Sequence, residues 1–460
     1  MKVALVETNT KDLIELENFL EKNEVNEETF IELAKPINFS FSVEECSRLI
    51  SHHICESLDS YTQQSQRYVK MGKGAFVIPK EIKKSKYAKE YSKLTEEIFE
   101  FYNNTTKLKE GFSGRKATEA DYANGIKIED GRYILPLSTT TNVFTTMNFS
   151  RIINFYKVMR RVELSESREL LKKLDKSIGE LTKKKKSKVV KLINKFSKKG
   201  ANNSIVNDFA RKHFDELNHA NGKNIVLVNS FEKPIIRSGL GALTSTNEKP
   251  PFEIYKQWSK EGEEAALTKA KGVTERVLGY NHESIIEHAR TTFALEMSLT
   301  CYHQFERHRL PSNIRERLEE LLISREIITP PSIKRNTEIN KVFLEKVSKT
   351  KELRKKILTE LGKEAQSYLL LNCDLVKVIS STNARIDNQV LAERTCNNAQ
   401  WEIRDLYNQK LLLLKKNAPV IYDKAGPPCT RGPCPEGTLT CGKSGEMIAR
   451  YGYHGKQAAK

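Results

Sequence analysis

The stretch that decides the fold is residues 304–312, Gln304-Phe305-Glu306-Arg307-His308-Arg309-Leu310-Pro311-Ser312. Two arginines flank a histidine, and Pro311 ends the helix or strand that precedes it. Guanidinium groups donate paired hydrogen bonds to phosphates, so clustered arginines are typical of nucleotide sites. An Arg-His-Arg run is also common on solvated surfaces, because neighbouring side chains need not point the same way. The flanking sequence therefore has to distinguish a nucleotide site from a solvated surface segment.

Two flanking regions carry further polar motifs. Upstream, residues 279–288 read Gly-Tyr-Asn-His-Glu-Ser-Ile-Ile-Glu-His; downstream come Asn383-Ala384-Arg385, then Arg394, then Asn-Ala-Gln-Trp-Glu-Ile-Arg over residues 398–404. This ordered set resembles the flavin-dependent thymidylate synthases, which carry His-x-Ser-x-x-Glu-His, Arg-His-Arg, Asn-Ala-Arg and Ala-Gln-Trp-Glu-Ile-Arg. Their joint occurrence is far more specific than any single motif.

The family's core motif continues to a Ser-x-Arg ending, which residues 314–319 lack. The first half of the chain supplies that ending at Ser65-Gln66-Arg67, where Cys55-Glu56-Ser57 stands in place of Arg-His-Arg. The family's Arg-x-x-Leu-Pro segment likewise occurs in the first half alone, as residues 132–136, whereas the second half keeps Arg394. The two halves have thus lost complementary parts of one motif.

Paired landmarks recur in the same order in both halves, which indicates an internal duplication. Residues 3–6 parallel 225–228 as strand-length apolar runs, and residues 76–79 parallel 327–330 before a helical segment. The later pairs are 146–148 with 381–383 and 166–170 with 402–406. We expect each half to open with a strand, to continue through amphipathic helices and to include a second strand near its middle.

The resemblance and the duplication together predict an α+β fold of two tandem flavin-dependent thymidylate synthase-like domains that form a pseudo-dimer. The predicted segments are 1–172, the first synthase-like half; 173–222, a lysine-rich helical linker; 223–424, the second half; and 425–460, a tail rich in Cys, Gly and Pro. Active sites of the family lie between subunits of a homotetramer. We therefore expect a homodimer of this chain to reproduce that arrangement.

The resemblance implies one composite site for small-molecule substrates. Deoxyuridine monophosphate (dUMP) would be bound by Gln304, Arg307, Arg394, Ser65, Gln66, Arg67 and Arg132. FAD would be bound by Ser284, Arg307, His308, Arg309, Asn383, Arg385 and Asn398. The family has a glutamate where this chain has Gln63 and often a histidine where it has Asn398.

The reaction implied by the resemblance is the methylation of dUMP to thymidylate (dTMP). NADPH would reduce the flavin, and methylenetetrahydrofolate would give the carbon unit. No cysteine adds to the pyrimidine ring in this family, so an arginine beside the ring is the expected activator. A guanidinium remains positive at any working pH, and Arg394 is therefore the predicted catalytic residue. A changed acceptor base or carbon donor remains open.

The net charge of +18 suggests nucleic acid as an alternative partner. Of this charge, +10 lies within residues 171–200, which hold 12 lysines and 2 acidic residues. The window has few aromatic residues to stack on bases, so a solvated helix leading into a linker is favoured over a nucleic-acid surface. A non-catalytic nucleotide- or nucleic-acid-binding scaffold that reuses the duplicated fold remains the alternative function.

Length and composition indicate a multidomain protein without a membrane segment. The 460 residues exceed what one hydrophobic core normally supports, and no apolar run approaches the roughly 20 residues needed to span a bilayer. Met1–Glu7 resembles a strand rather than a signal peptide, so we expect a cytoplasmic protein.

The cysteines predict reduced thiols rather than disulfides or nucleophiles. Cys55, Cys301, Cys373 and Cys396 have no evident base nearby in sequence and are expected to be buried small side chains. Three more, Cys429, Cys434 and Cys441, cluster in the tail. Structural zinc normally takes four ligands, so His454 or another residue would have to complete a site. We assign no metal ligand there and leave the role of the tail open.

Overall fold

The structure is a computed structural model that describes residues 1–57, 60–113, 117–184, 186–198, 203–230, 233–453 and 455. Its strands form two four-stranded sheets, ordered β1-β2-β4-β3 and β5-β6-β8-β7. The pairs β1–β2, β2–β4, β3–β4, β5–β6 and β7–β8 are antiparallel. The strands are β1 Lys2–Thr8, β2 Asn38–Ser47, β3 Tyr61–Gln63, β4 Thr140–Asn148, β5 Ile225–Ser230, β6 Arg290–Ser298, β7 Ser312–Arg315 and β8 Leu375–Asn383.

Helices make up most of the remaining regular structure. In the first half they are α1 Thr10–Lys22, α2 Glu27–Ala34, α3 Arg48–Glu56, α4 Lys80–Lys83, α5 Ala88–Thr105, α6 Ile128–Gly131, α7 Ile152–Arg161, α8 Ser165–Leu181, α9 Lys188–Phe196 and α10 Asn203–Phe214. In the second half they are α11 Pro234–Thr244, α12 Pro251–Lys260, α13 Glu263–Gly279, α14 Leu299–Phe305, α15 Pro331–Lys334, α16 Thr337–Leu361, α17 Lys363–Gln366, α18 Ala384–Arg394, α19 Trp401–Asn417, α20 Pro419–Tyr422 and α21 Ser444–Tyr451. No helix among the described residues is long and apolar enough to cross a bilayer.

The two halves repeat the same strand order, with two helices between the first two strands of the first half and three in the second half, so the predicted tandem arrangement is confirmed. The paired sequence landmarks fall at equivalent places: 3–6 in β1 and 225–228 in β5, 146–148 at the end of β4 and 381–383 at the end of β8. Residues 166–170 lie in α8 and 402–406 in α19, both of which are 17 residues long. The expectation of two strands per half was too low, because each half contributes four strands to its sheet.

The helices that follow β2 and β6 begin in the same way. The Ser47 side chain accepts a hydrogen bond from the Ile50 backbone N–H at the start of α3, and Ser298 accepts one from Cys301 at the start of α14. A side-chain oxygen at this position satisfies an otherwise unpaired N–H of the first turn. The shared cap fixes the register, in which Cys55 is equivalent to Glu306 and Glu56 to Arg307. The sequence comparison of Cys55-Glu56-Ser57 with Arg-His-Arg was therefore off by one residue.

The contacts divide the chain into two compact units that do not follow the two halves. The first unit consists of Met1–Asn203, Ser298–Arg307 and Arg317–Leu375; the second consists of Ser204–Met297, His308–Glu316 and Val376–Lys460. The first unit therefore contains α14 to α17 of the second half beside the sheet of the first. The predicted ranges 1–172 and 223–424 follow the motifs and stay a prediction.

Within the first unit, a segment of each half pairs reciprocally with its counterpart. The N–H of Leu137 donates to the carbonyl of Leu370 at 2.7 Å, and the N–H of Asn372 donates to the carbonyl of Leu135 at 2.9 Å. The same exchange recurs next to it, from Ser138 to Tyr368 and from Cys373 to Tyr133. This reciprocity fixes a second register, in which Arg132 is equivalent to Ser367.

The lysine-rich window is helical as expected, but α9 packs within the first unit. Val189, Leu192 and Ile193 are buried. The buried carboxylate of Glu17 on α1 accepts from the Ser187 hydroxyl at 2.7 Å and from the backbone N–H groups of Lys188 and Val189. Negative charge at a helix N-terminus is stabilising. This part of the predicted linker is therefore held against α1 rather than solvated on all sides.

Candidate active site

The Ser65-Gln66-Arg67 segment forms a tight turn immediately after β3. The Ser65 hydroxyl accepts from the Arg67 backbone N–H at 3.2 Å, and the Ser65 carbonyl accepts from Val69 at 2.9 Å. The Arg67 guanidinium donates to the Glu129 carboxylate, and both side chains are mostly buried. The turn thus fixes the predicted phosphate-binding arginine against α6, the short helix that precedes Arg132.

Arg132 is buried and meets Gln66 through a shared amide. Its Nε donates to the Glu129 carbonyl at 3.1 Å. The Asn372 side-chain amide donates to the Arg132 carbonyl at 2.9 Å and to Gln66 Oε1 at 3.1 Å. Asn372 comes from the second half of the sequence, so residues of both halves meet in one unit.

The same asparagine leads on to α14, which carries Gln304. The Asn372 carbonyl accepts from the Thr300 N–H at 2.9 Å and from the Thr300 hydroxyl at 3.1 Å. Gln304 Nε2 in turn donates to the Thr300 carbonyl at 3.5 Å, and the Gln304 side chain is buried. A continuous series of hydrogen bonds therefore joins Gln66 and Arg132 to Gln304. Arg307, which is also predicted to bind dUMP, is exposed just after the end of α14.

A fourth arginine, Arg48 at the start of α3, lies buried beside this group. Its Nη1 donates to the Gln64 carbonyl at 3.2 Å. Burial and then the charge of Arg132 lower the pKa of Arg48 to about 9. Burial also lowers the pKa of Arg132, and the charge of Arg67 acts in the same direction. The fold therefore disfavours these positive charges in the absence of a compensating anion.

We call Arg48, Gln66, Arg67 and Arg132 the arginine cradle. Three of its buried donor atoms, Arg48 Nε, Gln66 Nε2 and Arg132 Nη2, have no hydrogen-bond partner among the residues that the structure describes. Buried polar atoms are normally paired, and an unmatched donor is costly. A phosphate accepts several such hydrogen bonds and supplies the opposite charge. The arginine cradle therefore has the chemistry of a phosphate site.

In the second unit, His308 and Arg394 are in direct contact. Arg394 Nε donates to His308 Nε2 at 2.7 Å, and the Arg394 side chain is mostly buried. Because His308 accepts this bond through Nε2, that nitrogen carries no proton in this arrangement. The contact joins the middle residue of Arg-His-Arg to the last residue of α18 and orients the Arg394 guanidinium.

The first residues of α18 meet the segment that carries Ser284. Asn383 caps α18 by accepting from the Ile386 N–H at 3.0 Å. Arg385 forms an ion pair with Glu287 at 2.6 Å, and the Ala384 N–H donates to the Ala289 carbonyl. Ser284 lies exposed in the 3₁₀ segment Glu283–His288. The structure thus brings together Ser284, Asn383 and Arg385 at one end of α18.

The other predicted flavin residues are spread over the second unit. Arg309 is exposed before β7, and the Asn398 amide donates to the Leu439 carbonyl of the tail at 3.0 Å. The eleven residues of α18 span roughly 16 Å between Asn383 and the Arg394–His308 contact. A separate cavity of about 640 Å³ lies beside α13 and α20; its lining includes Lys271, Asn388 and Arg431 but none of the predicted site residues.

The eight cysteines, each of them described, form no disulfide bond. The predicted burial is confirmed for Cys55, Cys301 and Cys373, whereas Cys396 is half-buried. Burial raises the pKa of the Cys55 and Cys373 thiols well above the ordinary value, which disfavours a reactive thiolate. His454, the suggested fourth ligand of the tail, lies outside the described residues.

Three residues of the site region were not identified from the sequence: Arg48, Glu129 and Asn372. Arg48 gave one usable signal, a single charge inside the otherwise uncharged stretch 46–55. Glu129 and Asn372 gave none, since one lies in the short polar helix α6 and the other becomes important only through the reciprocal pairing of the two halves.

Comparison with known proteins gives consistent similarities. The family model described as thymidylate synthase complementing protein matches residues 24–182 and again residues 242–420. The chain is 34% identical over 194 residues to the flavin-dependent thymidylate synthase of Clostridium tetani, an alignment that covers 38% of this chain and 78% of that protein. It is also 34% identical over 238 residues to the flavin-dependent thymidylate synthase of Thermococcus kodakarensis, covering 48% and 91% respectively.

Among solved structures, the chain is similar to a flavin-dependent thymidylate synthase from Helicobacter pylori in complex with FAD and dUMP. The match has 18% identity and a TM-score of 0.35, and it covers 44% of this chain and 99% of that one.

Proposed function

We propose, from the premise that the chain belongs to the thymidylate synthase complementing protein family of flavin-dependent thymidylate synthases, that it methylates dUMP to dTMP. FAD is the flavin in this proposal, with NADPH as reductant and methylenetetrahydrofolate as carbon donor. The single observation that carries it is the arginine cradle, whose unmatched buried donors suit a nucleotide phosphate. A generic anion site would not need the connection to Gln304 that Asn372 and Thr300 provide.

In this proposal both halves bind the nucleotide. Ser65, Gln66 and Arg67 hold the phosphate through the turn after β3, and Arg132 adds a buried guanidinium. Gln304 and Arg307 from the second half contact the nucleoside. The supporting observation is that all six residues belong to the same compact unit. We infer that the six are contributed by a single chain.

The flavin would be held by Ser284, Arg307, His308, Arg309, Asn383, Arg385 and Asn398. Most of these donors lie along α18 and the segments that contact it, over a length that suits an extended dinucleotide. The arginines and amides match pyrophosphate oxygens and ring edges. When bound, FAD supplies the hydride that completes the methyl group.

The chain's own contribution is electrostatic and positional. Arg394, held by His308, would stabilise the negative charge that develops on the pyrimidine ring when N3 loses its proton. Since a guanidinium stays charged, this stabilisation needs no proton transfer from the enzyme. Arg307 is proposed as a ligand of both the nucleotide and the flavin.

We also propose that the chain is a pseudo-dimer and that two copies assemble into the equivalent of the family's tetramer. The reciprocal hydrogen bonds between residues 133–138 and 368–373 support the first part, because equivalent groups exchange equivalent bonds. Such reciprocity is characteristic of a two-fold interface. Measurement of the molar mass by light scattering tests the second part.

An activity assay with a flavin spectrum tests the function. The purified full-length chain should bind FAD, with visible flavin absorbance, and should form dTMP from dUMP when NADPH and methylenetetrahydrofolate are supplied. A chain that neither retains added FAD nor forms dTMP would refute the proposal. The product mass separates dTMP from the product of a changed acceptor base.

Mixing two inactive variants tests whether the nucleotide site forms within one chain. Arg67→Ala and Arg307→Ala should each be inactive, and unfolding and refolding them together should restore no activity. Sites formed between chains would instead regain activity in a fraction of the mixed assemblies. A mixture of wild type and Arg67→Ala, treated identically, controls for recovery after refolding.

A further inference from the structure

A buried cluster of two imidazoles and a carboxylate in the first unit takes no part in the proposed reaction. His52 lies on α3 and His303 at the equivalent position of α14, and their Nδ1 atoms are 3.1 Å apart. Oε2 of Glu306 lies 3.1 Å from Nδ1 of His52, and Oε1 of the same carboxylate lies 2.8 Å from Nδ1 of His303. All three side chains are at most 4% exposed. The three side chains, His52, His303 and Glu306, therefore form a compact triangle of possible metal ligands.

While Glu306 is ionised, hydrogen bonds alone cannot pair the polar atoms of this triangle. If both Nδ1 atoms carry protons and donate to Glu306, two N–H groups oppose each other at 3.1 Å. If one Nδ1 is an acceptor, its lone pair faces the carboxylate. In either case Nε2 of both rings is buried without a hydrogen-bond partner among the residues described. A purely hydrogen-bonded cluster would need a neutral glutamic acid in the protein interior.

A divalent cation removes the conflict, because both Nδ1 atoms and the carboxylate then direct lone pairs at one charge. Zinc binds imidazole nitrogen and carboxylate oxygen at about 2.0–2.2 Å, which places neighbouring ligand atoms about 3.3 Å apart in a tetrahedral site. The observed separations of 2.8–3.1 Å are close to that value. Two histidines and one glutamate are also a donor set that zinc accepts.

We propose that His52, His303 and Glu306 bind a divalent transition-metal ion, best matched by zinc, that cross-links α3 of the first half to α14 of the second. Glu306 follows His303 by three residues, and Cys55 follows His52 by the same spacing, so each helix presents two donors on one face. The remaining coordination position is left to water. The ion would act structurally by holding the helix that carries Gln304. This inference does not depend on the proposed function.

Metal analysis of the purified full-length chain tests the proposal. Elemental mass spectrometry should find about one zinc ion per chain, and the His52→Gln, His303→Gln and Glu306→Gln variants should each retain less than about a tenth of that. His53→Gln, which removes a buried neighbour on α3 outside the triangle, is the matched control and should keep its metal. A triple Cys429→Ser, Cys434→Ser, Cys441→Ser variant should also keep it, which separates this site from the tail thiols.

A stability measurement avoids dependence on variants that fail to fold. Chelation of the wild-type chain should lower its unfolding temperature, and Zn²⁺ alone should restore it, whereas folded Glu306→Gln protein should respond to neither. Wild-type protein that is metal-free and is not stabilised by added Zn²⁺ would overturn the proposal. So would triangle variants that retain the full metal content.

Discussion

Helices α3 and α14 are equivalent elements that begin alike and end differently. Both follow a strand and are capped by a serine side chain, Ser47 or Ser298. At their ends, however, α14 continues into Arg307-His308-Arg309, whereas the register of α3 places Glu56 opposite Arg307. The cap is needed by the fold in both halves. In the proposed function, the cationic ending is needed only where a nucleotide binds, which leaves one copy free to lose it.

Two further pairs of equivalent helices differ in the same direction, with the charged residues again in the second half. In the second half, Lys410 on α19 and Asp387 on α18 form a buried ion pair at 2.5 Å. The landmarks that align Asn148 with Asn383 and Glu166 with Glu402 place Ile152 and Leu174 at the equivalent positions of the first half, both fully buried. The same architecture therefore tolerates an ion pair or two aliphatic side chains. Folding alone does not require the ion pair.

The largest expected effect on activity is that of replacing Arg132, for which its equivalent, Ser367, serves as the comparison. Arg132→Ala removes a buried guanidinium from the arginine cradle, whereas Ser367→Ala removes a hydroxyl that donates to the Glu364 carbonyl at 2.6 Å. Losing a buried charged contact costs about 2–5 kcal/mol, so kcat/KM for dUMP should fall about a thousandfold in Arg132→Ala. Steady-state kinetics should show a change within about threefold for Ser367→Ala.

The same pair separates binding from folding. Saturating dUMP should raise the unfolding temperature of the wild type and of Ser367→Ala through ligand linkage, and should leave Arg132→Ala unchanged. Arg132→Lys should not restore activity, because a lysine cannot replace the fork of a guanidinium. Equal losses of kcat/KM in Arg132→Ala and Ser367→Ala would refute the proposal that Arg132, and not its equivalent in the second half, binds dUMP.

Much of this architecture is predictable from the sequence, because duplicated landmarks and family motifs are local patterns. The tandem arrangement, the opening strands and the burial of Cys55, Cys301 and Cys373 all follow from such patterns. Strands β3 and β7 were missed since three or four residues are too few to show an alternating pattern. Position within the motifs predicted Gln66 and Arg132, but nothing local indicated that Asn372 would join them.

The division into units was not predictable, because it depends on contacts between distant segments. Helix α16 packs with α5 in the first unit, where Lys346 pairs with Glu97 at 2.6 Å and Lys356 pairs with Glu90 at 2.8 Å. Such pairs leave no periodic signal in a chain with 30% charged residues. The triangle of His52, His303 and Glu306 was hidden for the same reason, since 251 residues separate its two histidines.

The next effect tests the ion pair that distinguishes the second half. Lys410→Met should destabilise the chain by about 3–5 kcal/mol, because it leaves the Asp387 carboxylate buried and uncompensated. The double variant Asp387→Ile, Lys410→Leu copies the first half and should recover most of that loss. Chemical denaturation monitored by circular dichroism gives both values. A double variant as unstable as Lys410→Met would show that the halves are not interchangeable here.

An exposed ion pair between α18 and the segment Glu283–His288 serves as the reference for that measurement. Glu287 and Arg385 are each 46% exposed and 2.6 Å apart. Solvent and salt screen such a pair, so Glu287→Ala should cost less than about 1 kcal/mol.

The smallest expected effect is on FAD affinity. It is tested at Arg385, at the start of α18, and at Ser150, its equivalent in the first half. Arg385→Ala removes a proposed flavin contact at an exposed position and should raise the FAD dissociation constant about tenfold, equivalent to about 1.4 kcal/mol. Ser150 donates to Asn148 Oδ1 at 2.5 Å, which is a local contact, and Ser150→Ala should leave FAD affinity unchanged. Titration followed by flavin fluorescence measures both constants. A larger loss of FAD affinity in Ser150→Ala would place the flavin at the first half and reverse the comparison, because Ser150 occupies the position where the second half carries its arginine.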